Sequence, residues 1–228
     1  MKHLSLRLGF VAALVFCSLT TTRLAQAEDD ELEETAPKPR PTPPEFRSFR
    51  PTFGAHIGLG RPAGSAEEGL RLPNAAPWGY LPGFEVRLPI TRHVSLEGFG
   101  NFGQFNGGTD LCPKCSLGTT LFGGGVVYHL LDGVPLDPWL SFGLGYRTTK
   151  VTFDGVQSFT YKGVEPVRIA MGMDRYVLPQ LGLGLYADLS FGQFSQRDPG
   201  PFREDRVGAV HTFFSFGVRG VLSPFASF

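Results

Sequence analysis

The sequence predicts an all-β protein, an eight-stranded antiparallel up-and-down transmembrane β-barrel, and three observations carry that prediction. Segments in which apolar and polar residues alternate with period two recur from residue 51 onward, which is the pattern of strands. Short and long connections alternate between these segments, as in membrane barrels with short turns at one end and long loops at the other. The polar face of the segments is rich in glycine and in arginine–carboxylate combinations. Such a face suits the cramped interior of a small barrel better than a solvated surface.

The first 50 residues stand apart from this pattern. Lys2, His3 and Arg7 precede an apolar stretch from Leu8 to Leu19, and Ala25-Gln26-Ala27 supplies a small-residue cleavage pattern before Glu28. Residues 1–27 therefore read as a secretory signal peptide. A dozen apolar residues are too few to span a bilayer core as a helix. Removing residues 1–27 takes away Lys2, Arg7 and Arg23 and leaves 18 cations against 21 acids. Residues 28–50 begin with the acidic run Glu28–Glu34 and continue through Pro37, Pro39, Pro41, Pro43 and Pro44. Neither part can bury a core, so the segment reads as an extended tether.

Residues 51–228 supply the strands. A weaker run at Phe53–Gly60 comes first. In the second, Phe84, Val86, Leu88 and Ile90 alternate with Glu85, Arg87 and Pro89; weaker runs follow at Val94–Phe105 and Thr119–Leu131. Leu140, Phe142, Leu144 and Tyr146 alternate with Ser141, Gly143, Gly145 and Arg147 in the fifth strand. Val167, Ile169, Met171 and Met173 mark the sixth, and Leu181 to Phe191 at every second position the seventh. Thr212, Phe214, Phe216 and Val218 form the eighth. Long polar connections are expected at Arg61–Gly79, Asn106–Ser116, Asp154–Gly163 and Gln196–Arg206. Short turns are expected at Thr91–His93, at Asp132–Asp137 and around Pro179-Gln180. An even strand number brings both termini to the short-turn side, where the tether would lie. No stretch of 18 apolar residues follows Pro51, so membrane crossing by a helix is not expected.

The polar face carries Glu85, Glu97, Asp174 and Asp188 with Arg87, Arg147, Arg168 and Arg219. Four acids and four arginines can neutralise one another in a narrow lumen, where an unpaired charge would be costly. Tyr186, Phe99 and Phe213 fall on the same face and predict a mostly filled interior. A soluble lipocalin-like barrel is the structural alternative, since it too has eight strands but buries its apolar face.

The run Gly83-Phe84-Glu85-Val86-Arg87-Leu88, a short turn, and Val94-Ser95-Leu96-Glu97-Gly98-Phe99 resembles the hairpins of small bacterial outer-membrane β-barrel proteins. So does the closing Phe213-Phe214-Ser215-Phe216-Gly217-Val218-Arg219 with a C-terminal Phe228. The resemblance covers residues 51–228. It implies a Gram-negative outer membrane, with lipid and the barrel-assembly machinery as partners, and it implies no single activity. In such proteins a final strand with a terminal aromatic is read by that machinery; here Pro224 interrupts the last residues, so the strand is expected to end near Val221.

Charge and motifs narrow the function classes. With 21 Lys+Arg against 21 Asp+Glu, only 18 % charged residues and five lysines, the chain lacks the basic cluster that phosphate backbones require, so no nucleic acid is expected. Cys112-Pro113-Lys114-Cys115 lies in a polar loop without the βαβ context of a redox motif and without further zinc ligands. In an exported chain it reads as a small structural disulfide. His56, His93, His129 and His211 are scattered, and neither His129-Leu130-Leu131 nor His211-Thr212-Phe213 offers the His-x-Ser pair of lipid-modifying barrel hydrolases. Gly123-Gly124-Gly125 has no following Lys-Ser/Thr, so it is no phosphate loop. No serine at suitable sequence spacing stands beside a base. No cofactor and no metal are expected. The expected role is non-enzymatic, structural or surface-interacting, with a narrow passage for small molecules left open. The alternatives are a soluble ligand-binding barrel and a lipid-modifying barrel enzyme.

Overall fold

A computed structural model describes residues 51–106, 114–131, 136–153, 157–178, 180–198 and 205–224, within the unit Thr42–Phe228. The signal segment, the tether, Cys112 and Phe228 lie outside the described residues.

Nine strands and one short helix are present among the described residues. They are β1 (Thr52–Glu67), β2 (Leu70–Arg71), α1 (Leu72–Ala75), β3 (Gly79–Pro89), β4 (Val94–Asn106), β5 (Ser116–His129), β6 (Leu136–Phe153), β7 (Gln157–Leu178), β8 (Leu181–Asp198) and β9 (Asp205–Leu222). The ring runs β1-β3-β4-β5-β6-β7-β8-β9, every neighbour antiparallel, and closes by β1 pairing with β9 from Phe53↔Leu222 to Gly64↔His211. Eight strands form the barrel. The ninth, β2, is a two-residue addition that folds back on the end of β1, and α1 follows it directly. Gly64 and Gly69 carry the positive φ values, 81° and 85°, that this fold-back uses, which non-glycine residues rarely adopt.

The faces settle which side meets lipid. Phe84, Leu88, Phe142, Leu144, Leu185 and Phe216 point outward and are exposed, while Glu85, Arg87, Glu97, Arg168 and Asp188 are buried inside. A lipocalin-like barrel would show the opposite arrangement. The outward band runs, for example, from Tyr80 to Leu88 on β3 and from Leu183 to Phe191 on β8, a length that matches a tilted bilayer crossing. Two inward glycines act as seats for large rings. A Cβ on Gly172 would lie 2.5 Å from Trp139 Cζ2, and one on Gly123 would lie 2.5 Å from Phe99 Cζ.

The strands are longer than expected at the long-loop end. β1 continues to Glu67, β6 to Phe153 and β8 to Asp198, while β7 begins at Gln157. These segments cover much of the expected loops Arg61–Gly79 and Asp154–Gly163, and they shorten the one at Gln196–Arg206. The reason lies in the side chains. On β6 the apolar residues face outward at Phe142, Leu144 and Tyr146, but the next buried apolar residue, Val151, faces inward. On β8 the outward Leu185 and Phe191 give way to the inward Phe194. Beyond the lipid band the barrel becomes an ordinary β-structure with a dry inside and a polar outside. The apolar alternation therefore changes phase in mid-strand and no longer reads as one strand. Leu72, Ala75, Phe105, Leu117, Val151, Tyr161, Phe194 and Phe213 fill this end as one apolar cluster, to which α1 contributes two buried residues.

Leu185 is 63 % exposed near the middle of the outward band. Leu185→Arg should destabilise the barrel refolded in lipid vesicles by about 2–4 kcal/mol, measured by urea titration. A stability change near zero would mean that this face meets water.

Candidate functional site

The interior between the two ends is a connected set of charges. Seven of them form an alternating chain across five strands. Asp174 lies 3.4 Å from Arg219 (Oδ1 to Nε), and Arg219 pairs with Glu85. Glu85 lies 3.5 Å from Arg87, whose Nε donates to Glu97 Oε1 at 3.3 Å. Arg168 NH1 donates to Glu97 Oε2 at 3.3 Å, and its Nε donates to Asp188 Oδ2 at 2.5 Å. Ser141 Oγ adds a donor to Glu97 Oε2 at 2.6 Å. Each acid thus faces an arginine, and Glu85 and Glu97 are each shared between two.

Arg147, the eighth charge expected on this face, lies outside the chain. It pairs with Glu165 and donates through NH1 to Thr119 Oγ1 at 3.0 Å and through NH2 to Ser190 Oγ at 3.1 Å. His211 Nε2 donates to Glu165 Oε1 at 3.2 Å. Glu165 and His211 are completely buried, and alternation in the sequence does not assign Glu165 inward. Counted back from Arg168, Ala170 and Asp174, position 166 would be the inward one. The pairing instead slips between Val164 and Val167, so Pro166 and Val167 both face outward and Glu165 turns in. Pro166 was the available sign, because proline within a strand marks an edge or a bulge.

Aromatic rings complete the packing. The guanidinium carbon of Arg168 sits 3.8 Å from the Phe99 ring centre, and that of Arg147 sits 3.8 Å from the Phe213 ring centre. Arg87 and Arg219 lie 4.3 and 4.5 Å from the ring of Trp139. A weakly hydrated planar cation tolerates such stacking better than an ammonium would. His56 Nε2 and Asn101 Oδ1, 3.0 Å apart, and the ring of Tyr186 occupy the remaining cross-section near this level.

At the short-turn mouth the fold makes a contact the sequence does not announce. Ser95 is the first inward residue of β4, His129 ends β5 and Asp137 is the first inward residue of β6. His129 Nδ1 donates to Asp137 at 2.9 and 3.1 Å, and Ser95 Oγ lies 3.4 Å from His129 Nε2. The expectation that no serine stands beside a base is thereby corrected. Sequence spacing missed it because 34 residues separate Ser95 from His129, and only pairing of three strand ends makes them neighbours.

Of the expected disulfide, Cys115 is buried at the edge of the apolar cluster, and Cys112 lies outside the described residues. Among the described residues no group of three or more His, Cys, Asp or Glu residues is arranged to hold a metal ion.

Removing one member of a buried pair leaves the other charge uncompensated. Glu165→Ala should cost about 3–5 kcal/mol, and Arg147→Met with Glu165→Leu together should cost clearly less. Denaturant unfolding of both variants against the parent checks this; equal losses would show that Arg147 does not depend on Glu165.

No protein-family description matches the chain, and no curated protein matches it in sequence. Solved structures do match. Neisserial surface protein A aligns with 76 % of this chain and 96 % of its own length at 14 % identity and a TM-score of 0.50. The attachment invasion locus protein Ail of Yersinia pestis aligns with 76 % of this chain and 99 % of its own at 11 % identity and a TM-score of 0.45. The N-terminal β-barrel domain of Pseudomonas aeruginosa OprF aligns with 76 % and 98 % at 15 % identity and a TM-score of 0.43. At such identity the likeness to Neisserial surface protein A speaks for architecture alone, and it agrees with the ring, the sidedness and the apolar band described above: the chain has the fold of the small eight-stranded outer-membrane β-barrel proteins.

Proposed function

We propose that this chain is an exported protein of the Gram-negative outer membrane, that its long-loop end serves a non-enzymatic structural or surface-interaction role, and that its barrel is not an open passage. The observation that carries this reading is the filled interior. A charge network stacked on aromatic rings occupies the membrane level, and an apolar cluster closed by α1 occupies the long-loop end. Moving a hydrated solute would require separating buried ion pairs and then wetting an apolar plug, and both are unfavourable.

In this reading residues 1–27 direct export and residues 28–50 are a periplasmic tether. The long-loop end faces outward from the cell, and Cys112 and Cys115 close a small disulfide there. The partners are outer-membrane lipid and the barrel-assembly machinery. The strand extensions on β6 to β9 give the outer end a raised, structured wall, and recognition belongs on such a surface rather than in the lumen.

Two measurements test the proposal. Planar-bilayer recordings should show no steady, reproducible conductance; a stable unitary conductance would overturn the closed barrel. A membrane-impermeant amine reagent on intact cells should modify Lys114 and Lys150, both exposed at the long-loop end, and should reach Lys38 of the tether only after the envelope is opened. Labelling of Lys38 alone on intact cells would reverse the orientation.

A further inference from the structure

We propose that Ser95, His129 and Asp137 form a nucleophilic serine site at the short-turn mouth, of the class that reacts with carboxylic esters. It goes beyond the role proposed above and concerns the opposite end of the barrel.

The geometry has the parts such a site requires in the right order. A carboxylate only accepts hydrogen bonds, so the 2.9 Å contact of Asp137 with Nδ1 places the imidazole proton there. Nε2 is then left as an acceptor, and the Ser95 hydroxyl lies 3.4 Å from it. That is the tautomer in which histidine serves as general base and the carboxylate orients it. The serine–histidine distance is on the loose side, as it often is before a substrate is bound. The frame is held independently of these side chains. His129 N donates to His93 O at 2.7 Å, Leu130 N donates to Pro138 O at 2.9 Å, and His93 Nδ1 donates to His129 O at 3.1 Å. The three residues are the outermost inward positions of their strands at this end, and the His129 side chain retains 17 % exposure. Val127 and Trp139, the cross-strand partners of Ser95 and His129, are both buried and apolar.

The chemistry balances with an ester and water alone. Ser95 Oγ attacks the carbonyl carbon while His129 Nε2 takes the hydroxyl proton. The bond to the leaving alcohol breaks, the alcohol oxygen receives that proton, and acyl-Ser95 remains. Water then attacks the acyl carbon, giving its proton first to Nε2 and through it to Ser95, and a carboxylic acid departs. Ser95 sits on a fully paired strand, opposite Pro89 and Val127, so its backbone offers no free oxyanion donors. Each absent donor slows acylation and deacylation alike, by roughly 100-fold or more, so only an activated ester with a good leaving group acylates Ser95 faster than the acyl group is hydrolysed.

The test uses the full chain folded in detergent micelles, with folding confirmed by its mobility on an unheated gel. A fluorophosphonate probe should form one adduct, located on Ser95 by peptide mass, with fluoride as the leaving group. 4-Nitrophenyl acetate should release about one equivalent of nitrophenol in a burst, followed by slow turnover. Ser95→Ala should abolish both signals. Asp137→Asn, which keeps the shape but removes the orienting charge, should slow labelling by roughly 100-fold or more in protein that still migrates as folded. Folded parent protein that shows neither adduct nor burst overturns the proposal. So does an adduct that survives Ser95→Ala, or labelling that is unchanged in Asp137→Asn.

Discussion

Inside hydrocarbon no backbone N–H or C=O can go unpaired, because no water is present to replace the missing partner. The pairing of β1 with β9 over twelve residue pairs is the interaction that meets this condition for the whole sheet. An open eight-stranded sheet would present two unsatisfied edges to lipid. Closing it removes both and creates a small enclosed interior whose polar groups can reach only one another. Everything placed in the lumen inherits that restriction.

The charge chain from Asp174 to Asp188 is a consequence. Each arginine in it faces two carboxylates, with Arg219–Glu85, Arg219–Asp174 and Arg168–Glu97 joining strands that are not neighbours in the ring, and each lays its flat face on Trp139 or Phe99. Since a buried pair is weak evidence of net stability, whereas a broken one is strongly destabilising, the network acts chiefly as a constraint. It admits one arrangement of strands in which every charge finds its partner. The slip at Pro166 shows how tight that constraint is. Without it Glu165 would face lipid and Arg147 would lose its carboxylate.

Lipid covers only part of the barrel, and the change of solvent is written into the strands. At membrane level the outside is apolar and the inside polar. Beyond it Val151, Tyr161 and Phe194 turn the inside apolar while exposed Lys150 marks the outside as wet. One continuous sheet thus carries two cores of opposite character. The polar core is specified by pairing, the apolar one by the hydrophobic effect that operates where water surrounds the wall. Together they fill the interior at both levels, and they separate the structured long-loop end from the small polar cluster at the short-turn mouth.

The sequence by itself determined the strand character, the alternation of short and long connections, and the face that carries charge. Those are local properties: side chains alternate across a strand with period two whatever the strand pairs with. Thus Phe84, Glu85, Val86, Arg87 and Leu88 already state which residues face lipid and which face the lumen. Only the tertiary structure decided the length of the strands, because the apolar register changes face where lipid ends and the periodic signal cancels. Only it could decide that Glu165 belongs with Arg147, since a bulge reverses parity, or that Ser95 meets His129 and Asp137. Those groups come from separate strands, and their proximity is set by register and closure around the ring, which no window of sequence contains.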